Sequence, residues 1–225
     1  RYINVMKKLQ KAIPDFYGKE DITFHELNSD FIATFDLFLK TEAGLCRNTI
    51  VRYMKCFKRI TNMALAKEWM RKDPFYGYKM AQDETDPVFL TYPELKSIME
   101  KEFTIPRLAL VRDIFVFAAF TGLAFANVST LTKDNLVQDN NGDWWIRKGR
   151  VKLERRHRAS SVCNIPLLPV PLAILKKYEE HPICRKKSLC LPVICNQRMN
   201  SYLKEIADLC NIRKNLTTHT AKHSK

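Results

Sequence analysis

Near its C-terminal end the chain reads His219-Thr-Ala-Lys222-His223, and a second concentration of reactive side chains lies between Arg147 and Arg158. That run holds seven basic residues, at positions 147, 148, 150, 152, 155, 156 and 158, against one acid, Glu154. These residue types suit work on a phosphate diester. An arginine fork grips two phosphate oxygens at once, and a lysine can protonate a leaving oxygen. Lys152 is the candidate general acid, with Lys148 as its competitor. Arg150 shares parity with Lys152, so in a regular strand the two project from one face. That would bring a guanidinium to the phosphate the acid approaches. His219 is expected in the first turn of a short helix capped by Thr217-Thr218, where a helix N-terminus favours phosphate. Lys222 adds charge to the same helix. His219 and His223 are four residues apart and could face one metal. The glutamate of an HExxH site is absent, however, so no metal is expected.

The elements that must position these groups follow from hydrophobic spacing. Tyr2 to Ile13 reads as a helix stopped by Pro14. Ser29 to Lys40 reads as a second helix with Ser29 as its N-cap, an apolar face of Phe31, Phe35, Phe38 and Leu39, and Gly44 closing it. A longer third helix runs from about Asn48 to just before Asp73-Pro74. Arg52, Lys55 and Arg59 recur on one of its faces and, with Arg47 at its head, are candidate DNA-binding residues. Phe75 to Leu90 has no clean period. The predicted division is a helical domain over 1–80, a linker over 81–91 and a second domain over 92–225. Thr91-Tyr-Pro-Glu94 matches a capping box that opens the second domain. Leu108 to Phe120 is apolar enough to be a buried helix. Asn135 to Gln138, Trp144 to Lys148 and Val162 to Leu167 read as strands, with Asn140-Asn-Gly142-Asp as a hairpin turn. Helices are expected again over Pro171–Glu180 and about Asn196–Cys210. The fold class is mainly α with a small antiparallel sheet.

Bulk properties narrow the function. The 225 residues carry 38 Lys and Arg against 24 Asp and Glu, a formal charge of +14. Such an excess favours a polyanionic partner. Lys148, Arg155 and Arg156 are the candidate backbone contacts of the basic run. Seven cysteines, an odd number without a CxxC pair, fit a reducing cytosol. Cys184, Cys190 and Cys195 lack the spacing of a zinc knuckle. The longest apolar stretch, Ile114 to Ala126, is too short for a bilayer, which takes roughly 20 residues. No signal peptide precedes the chain, and no membrane partner is expected.

Three passages, in order, resemble the tyrosine recombinases of the phage integrase family, especially the integrases of mobile elements. Residues 117–128, Phe-Ala-Ala-Phe-Thr-Gly-Leu-Ala-Phe-Ala-Asn-Val, resemble the family's TGLR segment. The hairpin from Trp145 to Pro169 contains Lys152. Leu216-Thr-Thr-His-Thr-Ala-Lys-His223 resembles the LT.HT.RH box. The resemblance covers nearly the whole chain. It implies a helical core-site DNA-binding domain followed by a catalytic domain, the two forming a clamp around duplex DNA. It implies site-specific recombination through a 3′-phosphotyrosine intermediate, which conserves bond energy and so needs neither ATP nor metal nor other cofactor. It also implies a homotetramer on two paired sites and a DNA-associated life in the bacterial cytoplasm. On this reading Arg150, Lys152, His219 and Lys222 are the candidate catalytic residues. Two departures stand out. Ala124 occupies the place of the family's first arginine, and Lys222 that of the H-x-x-R arginine. The chain opens without Met and ends at Lys225, so it is read as a fragment that stops before the nucleophilic tyrosine and should bind DNA without cleaving it. Tyr202 precedes the histidine box and is not that tyrosine. The rival expectation is a decayed, non-enzymatic DNA-binding or architectural protein.

Overall fold

The computed structural model describes residues 2–149 and 162–224. It separates into two compact units, Arg1–Thr85 and Asp86–Lys225. The first is three helices, α1 (Tyr2–Tyr17), α2 (Ser29–Lys40) and α3 (Arg47–Ala66). They enclose an aromatic core in which Phe57 meets Phe31, Phe35 and Phe75 edge-on at 5.6–6.2 Å. Edge-to-face rings at that distance gain from their quadrupoles beyond the area they bury.

Three helix boundaries differ from the sequence reading. α1 continues through Pro14 to Tyr17. A proline forfeits one intrahelical hydrogen bond. Here the following turn is held from outside, because Phe16 meets Phe38 edge-on and Tyr17 stacks on Phe31. The N-cap of α2 is Asn28, one residue earlier than expected, and its side chain accepts from Phe31 N at 2.9 Å. α3 ends at Ala66, well before Asp73-Pro74. There Glu68 turns left-handed (φ +60°) and Trp69 N returns to Ala64 O, a Schellman closure made without glycine. The chain then folds back along α3. The Arg47 guanidinium donates to Lys79 O, Ala81 O and Asp36. Asn48 and Asp83 exchange side-chain and backbone hydrogen bonds at 2.9 Å. Burial, then the hydrogen bond to Asp36, pushes the Tyr78 hydroxyl up to about 12.

The second unit is built around one helix. It comprises α4 (Tyr92–Glu100), α5 (Pro106–Thr121), α6 (Phe125–Val128), strands β1 (Leu136–Gln138), β2 (Trp144–Gly149) and β3 (Val162–Pro166), then α7 (Pro169–Tyr178), α8 (Pro182–Lys187), α9 (Asn196–Leu209) and α10 (Thr218–His223). This is the expected fold class. α5 is apolar around its circumference, so it must be covered on all sides. α4, α7, α9 and α10 all pack on it. Pro106 lies in its first turn rather than before it, and Gly122 (φ +64°) closes it. α7 likewise begins at Pro169, earlier than predicted, and the short helix α8 was not anticipated.

One buried acid organises this packing. Asp113, 5% exposed, accepts from Lys177 Nζ at 2.7 Å and Tyr178 hydroxyl at 2.8 Å on α7, and from Arg112 Nε at 2.6 Å. Arg112 also donates to Met99 O and Lys101 O. It thereby satisfies carbonyls that the end of α4 leaves without intrahelical partners. The group ties α4, α5 and α7 together.

The three strands form an antiparallel sheet in the order β1-β2-β3. Leu136 pairs with Ile146, and Lys148 with Cys163. The β1–β2 turn is organised by Asp139, which accepts from Asn141 N, Asp143 N and the Trp145 indole, while Gly142 takes φ +89°. Ile146 is completely buried, and strand alternation puts Lys148 on its face.

Candidate strand-transfer site

The His219 helix is fastened at both ends. Thr217 and Thr220 form its capping box. Asn200 Oδ1 accepts from Thr218 N at 2.9 Å, and the Thr218 hydroxyl donates to Asn196 Oδ1 at 2.7 Å, so α9 fixes where α10 begins. At the other end the Ser224 hydroxyl accepts from the buried Leu90 N at 2.7 Å and donates to Thr220 O. Thr220 and Ala221 are buried, while His219, Lys222 and His223 are exposed. The helix therefore presents one reactive edge. Its inner side shares a small cavity with α5 and α6, where Thr218 and Ala221 meet Ala118, Phe125 and Val128.

This places α10 beside the turn where Ala124 stands as the N-cap of α6. Two residues beyond α6, Thr130 O accepts from Lys148 Nζ at 2.6 Å, and Asn135 Oδ1 accepts from it at 2.9 Å. The three separated motifs are thus carried by neighbouring elements of one unit. On α10 the two imidazoles face each other, with Nε2 atoms 3.3 Å apart and rings inclined at 77°.

Comparison with known proteins bears on what this arrangement is. Residues 1–80 match the phage integrase SAM-like domain. A lambda integrase dimer bound to a COC' core site superposes with a TM-score of 0.70 at 14% identity, over 98% of this chain and 75% of that one. The XerH site-specific recombinase, in a post-cleavage complex with palindromic difH, gives 0.70 at 16% identity, over 99% of this chain and 66% of that one. The Tn1549 transposon integrase with a circular intermediate DNA gives 0.67 at 16% identity, over 99% and 78%. No curated protein sequence matches the chain. The chain has the tyrosine recombinase fold. It spans 66% of XerH, 75% of the lambda integrase fragment and 78% of the Tn1549 integrase fragment.

Within the tyrosine recombinase fold the expected site residues fall into three groups. His219 and Lys222 lie together on α10, next to α6. Arg150, Lys152, Arg155 and Arg156 lie outside the described residues. Lys148 is half-buried and bonded to the segment between α6 and β1, so it ties the base of the hairpin to that segment. In the first unit Arg52, Lys55 and Arg59 are exposed along one side of α3. Arg47 is half-buried, its guanidinium occupied by Lys79, Ala81 and Asp36, and Lys55, though exposed, donates to Gln82 Oε1 at 3.1 Å. The sequence reading overlooked Asn196, Asn200 and Ser224, which set the pose of α10. Their partners lie 18 or more positions away, and no local pattern signals such bonds. The closeness of His223 to His219 was legible, because residues four apart share a helix face.

Among the described residues no helix is long and apolar enough to cross a membrane.

Proposed function

We propose that this chain is the DNA-holding and phosphate-activating part of a site-specific recombinase of a mobile element, acting through a 3′-phosphotyrosine intermediate without metal or ATP. The observation that carries the reading is α10. A helix pinned by α9 and Leu90 offers His219 and Lys222 beside the α5–α6 turn of a tyrosine recombinase fold. In this scheme His219 and Lys222 bear on the scissile phosphate, Arg150 supplies the guanidinium that Ala124 cannot, and Lys152 protonates the leaving 5′ oxygen. Arg52, Lys55 and Arg59 from one unit, and Arg155 and Arg156 from the other, bear on the backbone of double-stranded DNA. A homotetramer on two paired core sites, in a bacterial cytoplasm, completes the proposal.

The compensation by Arg150 is the testable core. In the reading frame continued to its next tyrosine, Arg150→Ala should reduce adduct formation on a nicked substrate far more than it reduces DNA affinity. Arg147→Ala, of opposite parity, should do little to either. Equal small effects from both would remove Arg150 from the phosphate. Ala124 and Lys222 favour a second reading, a non-catalytic DNA-binding protein of the same fold. That reading gains if the continued chain binds its site yet forms no adduct.

A further inference from the structure

His219 and His223 stand one helical turn apart on the exposed edge of α10, with Nε2 atoms 3.3 Å apart and ring centroids 4.8 Å apart. A proton can join two imidazole nitrogens at this distance only if one donates and the other accepts. The same distance is the bite of a tetrahedral metal ion. With metal–nitrogen bonds of about 2.0–2.1 Å, two ligands at the tetrahedral angle lie about 3.3–3.4 Å apart, and at a right angle about 2.8–3.0 Å. The helix has thus set both nitrogens at the tetrahedral spacing before any ion arrives.

We propose that His219 and His223 form a two-imidazole site for a first-row divalent cation of the zinc, nickel and copper class, and that the bound ion holds the enzyme inactive by taking the nitrogen that His219 would offer to the phosphate. The inhibitory half rests on the recombinase reading above; the binding half does not. The absence of an HExxH glutamate argues against an ion that activates water, and this ion is not asked to do so. Among the described residues no group of three or more His, Cys, Asp or Glu could hold a metal, so within them the ion has two protein ligands. Affinity is therefore modest, and it should be highest for Cu²⁺. The ammonium of Lys222, exposed on the same helix, lowers it further.

The 225-residue chain without DNA is titrated with Cu²⁺, and separately with Co²⁺ followed by absorption. The expected result is one ion per chain with nitrogen ligation, weakened at least tenfold by His223→Gln and by His219→Gln, and unchanged by His25→Gln. Unchanged affinity in His223→Gln would overturn the site, as would a thiolate charge-transfer band placing the ion on cysteine. Both histidines are exposed, so the variants should keep the parent's melting curve. The second arm measures cleavage by the continued reading frame with Zn²⁺ and after chelation. Zn²⁺ should suppress adduct formation and chelation restore it, with a smaller suppression ratio in His223→Gln. Metal bound as described with cleavage indifferent to it would overturn the inhibitory role. If no cleavage occurs in either condition, the recombinase reading fails, and the Cu²⁺ titration still decides the site.

Discussion

Lys222 concentrates the chemical question at the scale of single residues. On the proposed reading it keeps a positive charge where tyrosine recombinases use an arginine, but an ammonium cannot make two parallel hydrogen bonds to a phosphate. In the continued reading frame, Lys222→Arg should speed cleavage about tenfold or more, since one donor to a transition-state oxyanion is worth roughly 2.7–4 kcal/mol. An unchanged rate would mean that residue 222 does not reach the phosphate. The cysteines give a second, independent check. Burial pushes the Cys190 thiol up to about 11 and also raises Cys184. Cys46 is exposed, and hydrogen bonding from Thr49, whose hydroxyl lies 3.2 Å away, lowers it. A raised thiol stays protonated until the pH climbs toward its own pKa, and only the thiolate attacks. At pH 8 a water-soluble alkylating reagent should therefore modify Cys46 rapidly and Cys184 and Cys190 slowly. Mass spectrometry of timed samples would read this directly. Early labelling of Cys190 would contradict its buried placement beside Leu131 and Leu191.

At the scale of elements, α5 is the support on which the site rests. It carries the turn ending in Gly122, it receives α10, and Asp113 binds it to α7. Asp113 is buried and Arg112 largely so, while Lys177 reaches water, and removing the acid leaves the Arg112 guanidinium uncompensated. Asp113→Ala should cost about 3–5 kcal/mol. Tyr178→Phe, which removes one neutral donor, should cost only about 1 kcal/mol. Chemical denaturation of both variants would check the order, and a loss below about 1 kcal/mol for Asp113→Ala would refute the organising role given to it. The exposed pair between Arg107 and Glu205, with Nη2 3.0 and 3.1 Å from the two carboxylate oxygens, is expected to matter far less because water screens it.

At the scale of the whole molecule, charge dominates. An excess of +14 over 225 residues, with exposed cations on α3 and a basic run of +6 between Arg147 and Arg158, should make duplex binding fall steeply with salt. Each neutralised phosphate contributes roughly −0.9 to the slope of log affinity against log salt. A filter or anisotropy titration from low to moderate salt should give a slope of several units, and a flat series would sink the nucleic-acid reading. The last tyrosine in the sequence is Tyr202, upstream of His219. The same 225 residues should therefore bind duplex but leave no covalent adduct on a nicked substrate.

The sequence determined a good deal of this protein unaided. Periodicity found α2 and α5, because apolar residues recur at helical spacing or fill a whole helix. The Thr91–Glu94 box and the Thr217-Thr218 cap marked two helix starts, because capping bonds are local. The three strands and the turn between the first two were legible from strand patterning and from Asn-Asn-Gly. The candidates His219 and Lys222 were legible because both lie within one six-residue helix. Only the tertiary structure decided the rest. It carried α1 past Pro14 through two aromatic contacts with α2. It closed α3 at Glu68 rather than at the next proline. It withdrew the Arg47 guanidinium into a clasp on residues 79–81, leaving Arg52, Lys55 and Arg59 exposed on α3. It fixed where α10 sits, through Asn196, Asn200 and Leu90. The α3 closure is local but made without glycine, so no glycine marks it; the others depend on partners distant in sequence, and a hydrogen bond or ring contact across such a gap leaves no periodic trace in the chain that makes it.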